Sequence, residues 1–349
     1  MHNTNPFGLF DEYFLLEKLS KLGDPLEKLD NFINWKIFND LIDSAFYDDT
    51  KDPSKGGRTP YPKAMLFKGI IIQSLYNLSE AQLEFQIVDR ASFKRFLGLK
   101  CSDKVPDSNT FWLFREELIE NHLIEKLFLS FNESLENAGI IAHEGKIIDA
   151  SFVEVPKQRN SRAENAAIKE TGSAPDEWEK KPRKKSQKDT DARWTKKNNI
   201  TFYGYKNHVK IDSKTKLITA YEVTDASIHD SQVIEKLITE EDKGQPVYAD
   251  SAYTGEKQFE IYRLKDVIPE INEKGYRNNP LTEEQKLSNK QKSKIRARVE
   301  HVFGFMENSM NGSFIRTIGI IRANAKIGLI NLTYNICRFV QLKKLSLLG

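Results

Sequence analysis

Residues 146–155, KIIDASFVEV, are a run of β-branched and apolar residues with an aspartate, Asp149, near the middle. The run reads as a strand buried in a sheet. Asp is disfavoured in strands, and a buried carboxylate costs several kcal/mol unless something compensates it. Asp149 is therefore an edge-strand or turn-forming residue in water, or a carboxylate held inside for its chemistry. The same run divides the chain. Before it, apolar residues recur at helical spacing through Phe14, Leu15 and Leu19, and again through Leu66, Ile70, Ile71 and Leu75, which predicts an all-helical N-terminal domain over residues 1–140. Pro62 stands where a helix can begin, Ser79 with Gln82 makes a capping box, and Ser92 and Ser108 are further N-cap candidates. Between 79 and 118 the short helices read first as an ordinary helical bundle, with a DNA-reading helix-turn-helix as the alternative.

After residue 146 the pattern changes class. FYGYKNHVKID (202–212) and LITAYEVTD (217–225) read as a hairpin, with a helix after it capped near Asp230. QPVYAD (245–250) reads as a short buried strand, Glu256–Leu264 as a helix, VIPEI (267–271) as a strand, and the rest as helix. The order β-β-β-α-β-α-β-α predicts an α/β domain over 141–345, a mixed sheet flanked by helices. Residues 157–200 interrupt it with 13 Lys/Arg, 7 Asp/Glu and few apolar side chains; so little apolar surface predicts a flexible basic arm.

Two more carboxylates stand in similar places. Asp250 ends the apolar run Val247–Tyr248–Ala249, and ligands of open α/β sheets gather at strand carboxyl ends; a helix N-cap is the plain alternative. Glu300 borders a helical stripe of Ile295, Val299, Val302, Phe303 and Met306, with Gly304 one turn later leaving space beside it. The plain alternative there is an i,i+4 ion pair with Arg296, in the weaker Arg-before-Glu order. Asp225 and Asp230 compete with Asp250 for the second place, and His229–Asp230 reads most simply as a cap; His208 lies on the same predicted sheet. Three carboxylates on two strands and a core-facing helix can hold two hard cations such as Mg²⁺ or Mn²⁺, which in turn support in-line displacement at phosphorus.

At these residues the chain resembles the DDE transposases of the insertion sequence five family, within the insertion sequence four-like superfamily. The motifs are KIIDASF, FYGYKNHVKID, VTDASIHDSQV, VYADSAYTG and RARVEHVFG, in order, and PYPKAMLFKGIIIQSLYNLSEAQLEFQIVDRASFKRFLGL with VPDSNTFWLFREEL in the helical half. The resemblance spans roughly residues 55–340. It implies an RNase H-like catalytic domain, Asp149, Asp250 and Glu300 as the catalytic and metal-binding triad for two Mg²⁺ or Mn²⁺ ions, and movement of a short DNA element with terminal inverted repeats. It also implies double-stranded DNA as partner and a homodimer or higher oligomer on it. In the four-like group the glutamate lies in a Tyr-x2-Arg-x3-Glu-x6-Lys pattern. Here Arg296 and Glu300 are kept, while Ser293 and Glu307 replace the Tyr and Lys, so contacts made by those two do not carry over. An inactive or domesticated DNA-binding relative and an RNase H-like nuclease without strand transfer are the alternatives.

Net charge is only +3, from 53 basic and 50 acidic residues, so charge distribution matters more than the total. Lys286, Lys290, Lys292, Lys294, Arg296 and Arg298 fall within 13 residues that contain no acid. This helix and the arm, through Lys184, Lys185, Arg193, Lys196 and Lys197, are the expected phosphate contacts. Trp178 and Trp194 sit in the polar arm; each belongs to a small local cluster or offers a stacking surface to an unpaired base. Cys101 and Cys337 have no metal-type spacing, which leaves free thiols. The N-terminal residues lack signal-peptide features, and the most apolar stretch, Met65–Leu78, is broken by Lys68 and too short to span a bilayer. A bacterial cytoplasmic protein, at the nucleoid when acting, is expected.

Overall fold

The computed structural model describes residue 8 and residues 10–46, 60–277 and 279–345. The N-terminal residues on which the reading of a missing leader rests lie mostly outside them. The chain forms two units, Met1–Ser134 with Asn335–Gly349, and Leu135–Tyr334.

The first unit is helical: α1 (Asp11–Leu22), α2 (Pro25–Phe32), α3 (Lys36–Ala45), α4 (Lys63–Leu75), α5 (Glu80–Asp89), α6 (Ala91–Leu97), α7 (Ser108–Glu120) and most of α8 (Leu123–Asn137). Helix α4 is its centre. Nine of its residues between Met65 and Ser74 are buried, so it is apolar on all sides, as a helix surrounded by others must be. Gly69 lets α7 approach, since a Cβ there would lie 2.4 Å from the Phe111 ring. Lys68, the one charge in the run, reaches outward to Asp30 and the Phe96 carbonyl oxygen. The Ser79–Gln82 capping box forms as expected. The other two caps differ: Asp107, not Ser108, caps α7, and Ser92 lies inside α6. A carboxylate one residue earlier reaches the free N–H of Thr110 at 2.7 Å, which puts the serine at the first helical position.

The second unit is built on one six-stranded mixed sheet: β1 (Lys146–Glu154), β2 (Arg193–Lys197), β3 (Ile200–Asp212), β4 (Ile218–Asp225), β5 (Pro246–Ala249) and β6 (Ile268–Ile271). The order is β2-β3-β1-β5-β6, with β4 also paired to β3. Strand β1 is central, antiparallel to β3 and parallel to β5. Its two faces go different ways. Ile148 joins a core with Val247, Ala249, Tyr253 and Tyr262, under α11 (Ile234–Leu237) and α12 (Glu256–Leu264). Asp149 lies on the opposite face, toward α13 (Glu283–Arg296), α14 (Arg298–Asn308) and the first part of α15 (Ile320–Lys344). This mixed sheet flanked by helices, preceded in the sequence by a helical region, is the RNase H-like architecture expected.

The arm departs from expectation. It holds α9 (Arg162–Thr171), a short α10 (Pro182–Ser186) and the whole of β2, which pairs with the start of β3. Trp178 is 1% exposed, and its Nε1–H donates to Glu164 at 2.8 Å; it is the nucleus of a small local cluster. Two acids fasten the arm's end. Asp189 accepts from the N–H groups of Asp191 and Ala192 and from the Tyr205 hydroxyl of β3. Asp191 accepts from the Ile320 N–H at the start of α15. Where the outer partner of β3 changes from β4 to β2, Gly204 has φ +151°, and a Cβ there would lie 2.3 Å from the Val153 carbonyl oxygen.

Asp189→Ala leaves two backbone N–H groups and a buried Tyr hydroxyl without their acceptor. It should lower unfolding stability by about 3 kcal/mol and open residues 157–192 to limited proteolysis. Equal cleavage rates in parent and variant would mean that the arm is mobile in both.

Candidate active site

The parallel pairing of β1 with β5 sets the site. Lys146 faces Val247 and Ile147 faces Tyr248, a register offset of 101 residues, which is also the separation of Asp149 and Asp250. Strand β5 ends at Ala249, and Asp250 follows at the strand end, where its side chain caps the next turn through the Ala252 N–H at 2.8 Å. The helix-cap reading of Asp250 and its placement beside Asp149 therefore hold together.

A cation lies against the two aspartates. Arg296 Nη1 stands 3.7 Å from Asp250 Oδ2 and 4.0 Å from Asp149 Oδ2. The i,i+4 pair of Arg296 with Glu300 considered from the sequence is not formed among the described residues. The physical reason is a break in the helix. Helix α13 ends at Arg296, Ala297 has φ −54° and ψ −14°, and α14 begins at Arg298. Glu300 lies in the first turn of α14 and is exposed, while Val299, Val302 and Met306 of the expected stripe are buried. Asp149 and Asp250 are thus brought to one guanidinium, and Glu300 is not joined to them. Among the described residues, no group of three or more His, Cys, Asp or Glu side chains is close enough to hold a metal ion. The full convergence of three carboxylates expected from the sequence is absent from this conformation. The two aspartates do suit a hard cation, because Mg²⁺ is held by one or two carboxylates together with substrate phosphate, and one positive group already lies within reach of both.

Burial pushes the Asp149 carboxyl up from its ordinary 3.8 to about 6, with Asp250 adding to the rise, while the Ala150 N–H, Arg296 and Lys197 act against it. Tyr253, in the turn that Asp250 caps, is wholly buried and its hydroxyl has no hydrogen-bond partner. Burial first, then Asp149, Asp230 and Asp250, push this phenol far above its usual value. The sequence reading missed Tyr253 although it lies within the VYADSAYTG motif.

The rival aspartates are otherwise employed. Asp230 pairs with Lys206 at 2.8 Å, and Asp225 accepts from the Ser227 N–H in a tight turn. His229, rather than Asp230, caps the short helical turn that follows, accepting from the Ser231 N–H. His208 is 0% exposed, shares a hydrogen bond with Thr224 through Nε2, and is held down to about 4 chiefly by burial.

The basic residues divide into those held by acceptors within the fold and those that are exposed. Lys292 pairs with Glu270 and donates to the Ile271 carbonyl oxygen, and Arg298 donates to the Ser213 carbonyl oxygen. Lys184 meets Glu164, Lys185 meets Glu179, and Arg193 turns back to the Thr190 and Ala192 carbonyl oxygens. Lys290, Lys294, Lys196 and Lys197 are exposed. Trp194 is 47% exposed, with its ring on Tyr203 at 4.8 Å. A cavity of about 400 Å³ opens between β1 and α14, lined in part by Ser151, Phe152, Asn207, Phe303, Glu307 and Phe314. Glu307, which stands where the four-like pattern has Lys, is one wall of it, and Ser293, in the Tyr position, accepts from the Asn272 amide at 2.8 Å.

Since the folded chain holds Asp149 above its ordinary value, ionising it costs stability. That cost is absent below about pH 4, grows through about pH 6 and is complete above it. Without divalent cations, Asp149→Asn should be about 1–3 kcal/mol more stable than the parent at pH 8, with the gap closing by pH 4. Denaturant unfolding at the two pH values checks this; equal stability at pH 8 contradicts it.

The family whose model is described as Transposase DDE domain matches residues 142–336, and one described as Transposase domain (DUF772) matches residues 14–117. Among solved structures, the chain is similar to piggyBac transposase in a cryo-EM synaptic complex with hairpin DNA, at 11% identity and a TM-score of 0.45, covering 93% of this chain and 76% of that one. With more than half of its length matched by the first model, the chain belongs to the transposase DDE domain family.

Proposed function

We propose that this transposase cleaves DNA at the ends of an insertion sequence and joins those ends to target DNA, with Asp149, Asp250 and Glu300 as its metal-binding carboxylates. The observation that carries this reading is the approach of Asp149 and Asp250 to a single cationic group across the β1–β5 pair. Divalent cations bound there, Mg²⁺ or Mn²⁺, would activate the attacking oxygen and stabilise the leaving one in an in-line displacement at phosphorus. Asp149 and Asp250 hold their place through the sheet. Glu300, exposed in the first turn of α14 directly after the break at Ala297, is the third carboxylate of the set. The motifs quoted above favour the insertion sequence five group within the family.

DNA lies across the face that carries α13 and the arm. Lys290, Lys294, Lys196 and Lys197 are among the exposed cations there, and the exposed indole of Trp194 offers a stacking surface on the same strand as the last two. The Ser151–Glu307 cavity starts two residues beyond Asp149 on β1, so the nucleotide beside the reacting phosphate lies along it. Two copies working together are expected, since two DNA ends are joined.

With Mg²⁺ and duplexes ending in the element's inverted repeat, Asp250→Asn and Glu300→Gln should each lose strand cleavage. Outer-shell partners of a metal typically cost 10- to 100-fold, so loss of a ligand should exceed about a hundredfold. Asp230→Asn keeps an oxygen for Lys206 and should retain cleavage. Loss in Asp230→Asn with retention in Asp250→Asn would reverse the assignment.

If about six phosphates are neutralised, DNA affinity should fall by about 10³ between 50 and 200 mM salt. A flat salt response removes the basic helix and arm from the interface.

A further inference from the structure

We propose that Arg296 is a displaceable counter-cation for the Asp149–Asp250 pair: a divalent cation competes with it, and a DNA phosphate that accepts the released guanidinium strengthens cation binding. The inference rests on the reading of these aspartates as cation ligands.

Two carboxylates side by side, one 14% and the other 30% exposed, repel each other and need a positive neighbour. Arg296 meets that need at 3.7 and 4.0 Å, with Lys197 also acting on Asp149. Those separations are longer than the 2.7–2.9 Å of charge-assisted hydrogen bonds, and the paired, bidentate geometry that makes Arg–carboxylate contacts tenacious is missing. Its buried Nε finds no acceptor. The guanidinium is therefore held by charge rather than by a hydrogen-bonded fork.

Its position lets it leave. Arg296 is the last residue of α13, directly before the break at Ala297, and its side chain is 27% exposed. A divalent cation between the same two carboxylates removes the attraction that keeps Arg296 there. In water the freed guanidinium gains little, whereas a phosphate of bound DNA offers two planar acceptors that match its geometry. Cation and DNA then favour each other, and reciprocity requires each to raise the affinity of the other by the same factor. Phosphate contact with the cation itself adds to that coupling; the share due to Arg296 is the part lost when its charge is removed.

The test is Mn²⁺ binding by isothermal titration or electron paramagnetic resonance, for parent, Arg296→Gln and Arg296→Lys, alone and with a duplex of unrelated sequence. Without DNA, Arg296→Gln should bind Mn²⁺ at least about fivefold more tightly than the parent, with Arg296→Lys between them. The duplex should raise Mn²⁺ affinity more in the parent than in Arg296→Gln. Thermal melting guards against misfolding: without Mn²⁺ Arg296→Gln should melt below the parent, and Mn²⁺ should raise its Tm further than the parent's. If the parent binds Mn²⁺ and Arg296→Gln binds it equally or more weakly, the counter-cation role is overturned and the metal site stands. If no protein binds Mn²⁺, the reading of the aspartates as ligands fails and takes this inference with it.

Discussion

Two like charges forced together by strand register are the constraint around which this structure is arranged. Backbone pairing of β1 with β5 fixes Asp149 and Asp250 at one level of the sheet, whatever their side chains prefer. Burial of Ile147, Ile148, Val247 and Ala249, all 0% exposed, prevents the strands from slipping, because a one-residue shift would turn apolar side chains out of the core and carboxylates into it. Folding energy from the apolar residues is thus spent on holding an arrangement that is unfavourable by itself. Such local conflicts in an otherwise consistent fold mark functional positions.

What surrounds the pair follows from that conflict. Arg296 supplies the positive charge, and the helix breaks immediately after it, so the following turn, with Glu300, starts a new helix. The same break leaves Glu300 exposed while its neighbours Val299 and Val302 are buried. The sheet, Arg296 and the exposed Glu300 are linked parts of one geometry. The arm belongs to the same unit, since Asp189 and Asp191 tie it to β3 and to the start of α15.

The fold was largely legible. The β-branched and apolar run of β1 marked it as a strand, FYGYKNHVKID and LITAYEVTD marked the β3–β4 hairpin, and α12 covers the expected Glu256–Leu264. Asp149 stood out because an acid inside an apolar strand contradicts its surroundings. One strand was hidden. Strand β2, RWTKK, carries charged residues because it is an edge strand, and edges are commonly protected by charge; this makes it look like loop. The cluster around Trp178 was one of the two readings open for that indole, and its burial with a hydrogen bond to Glu164 decides it. The partner of Arg296 was hidden for another reason. Local spacing offered Glu300 four residues on, while the two aspartates that hold it lie 147 and 46 residues away in sequence, a relation only the folded sheet creates.

The central claim is that Asp149, Asp250 and Glu300 share bound cations when DNA is present. A crystal of the protein with a terminal-repeat duplex, grown in Mn²⁺ and measured at the manganese absorption edge, reads this directly. The account predicts anomalous peaks within about 2.0–2.4 Å of carboxylate oxygens from all three residues, with the Arg296 guanidinium moved to a phosphate. Peaks held by other side chains, or Glu300 still facing solvent beside a cation bound by the two aspartates, would contradict it.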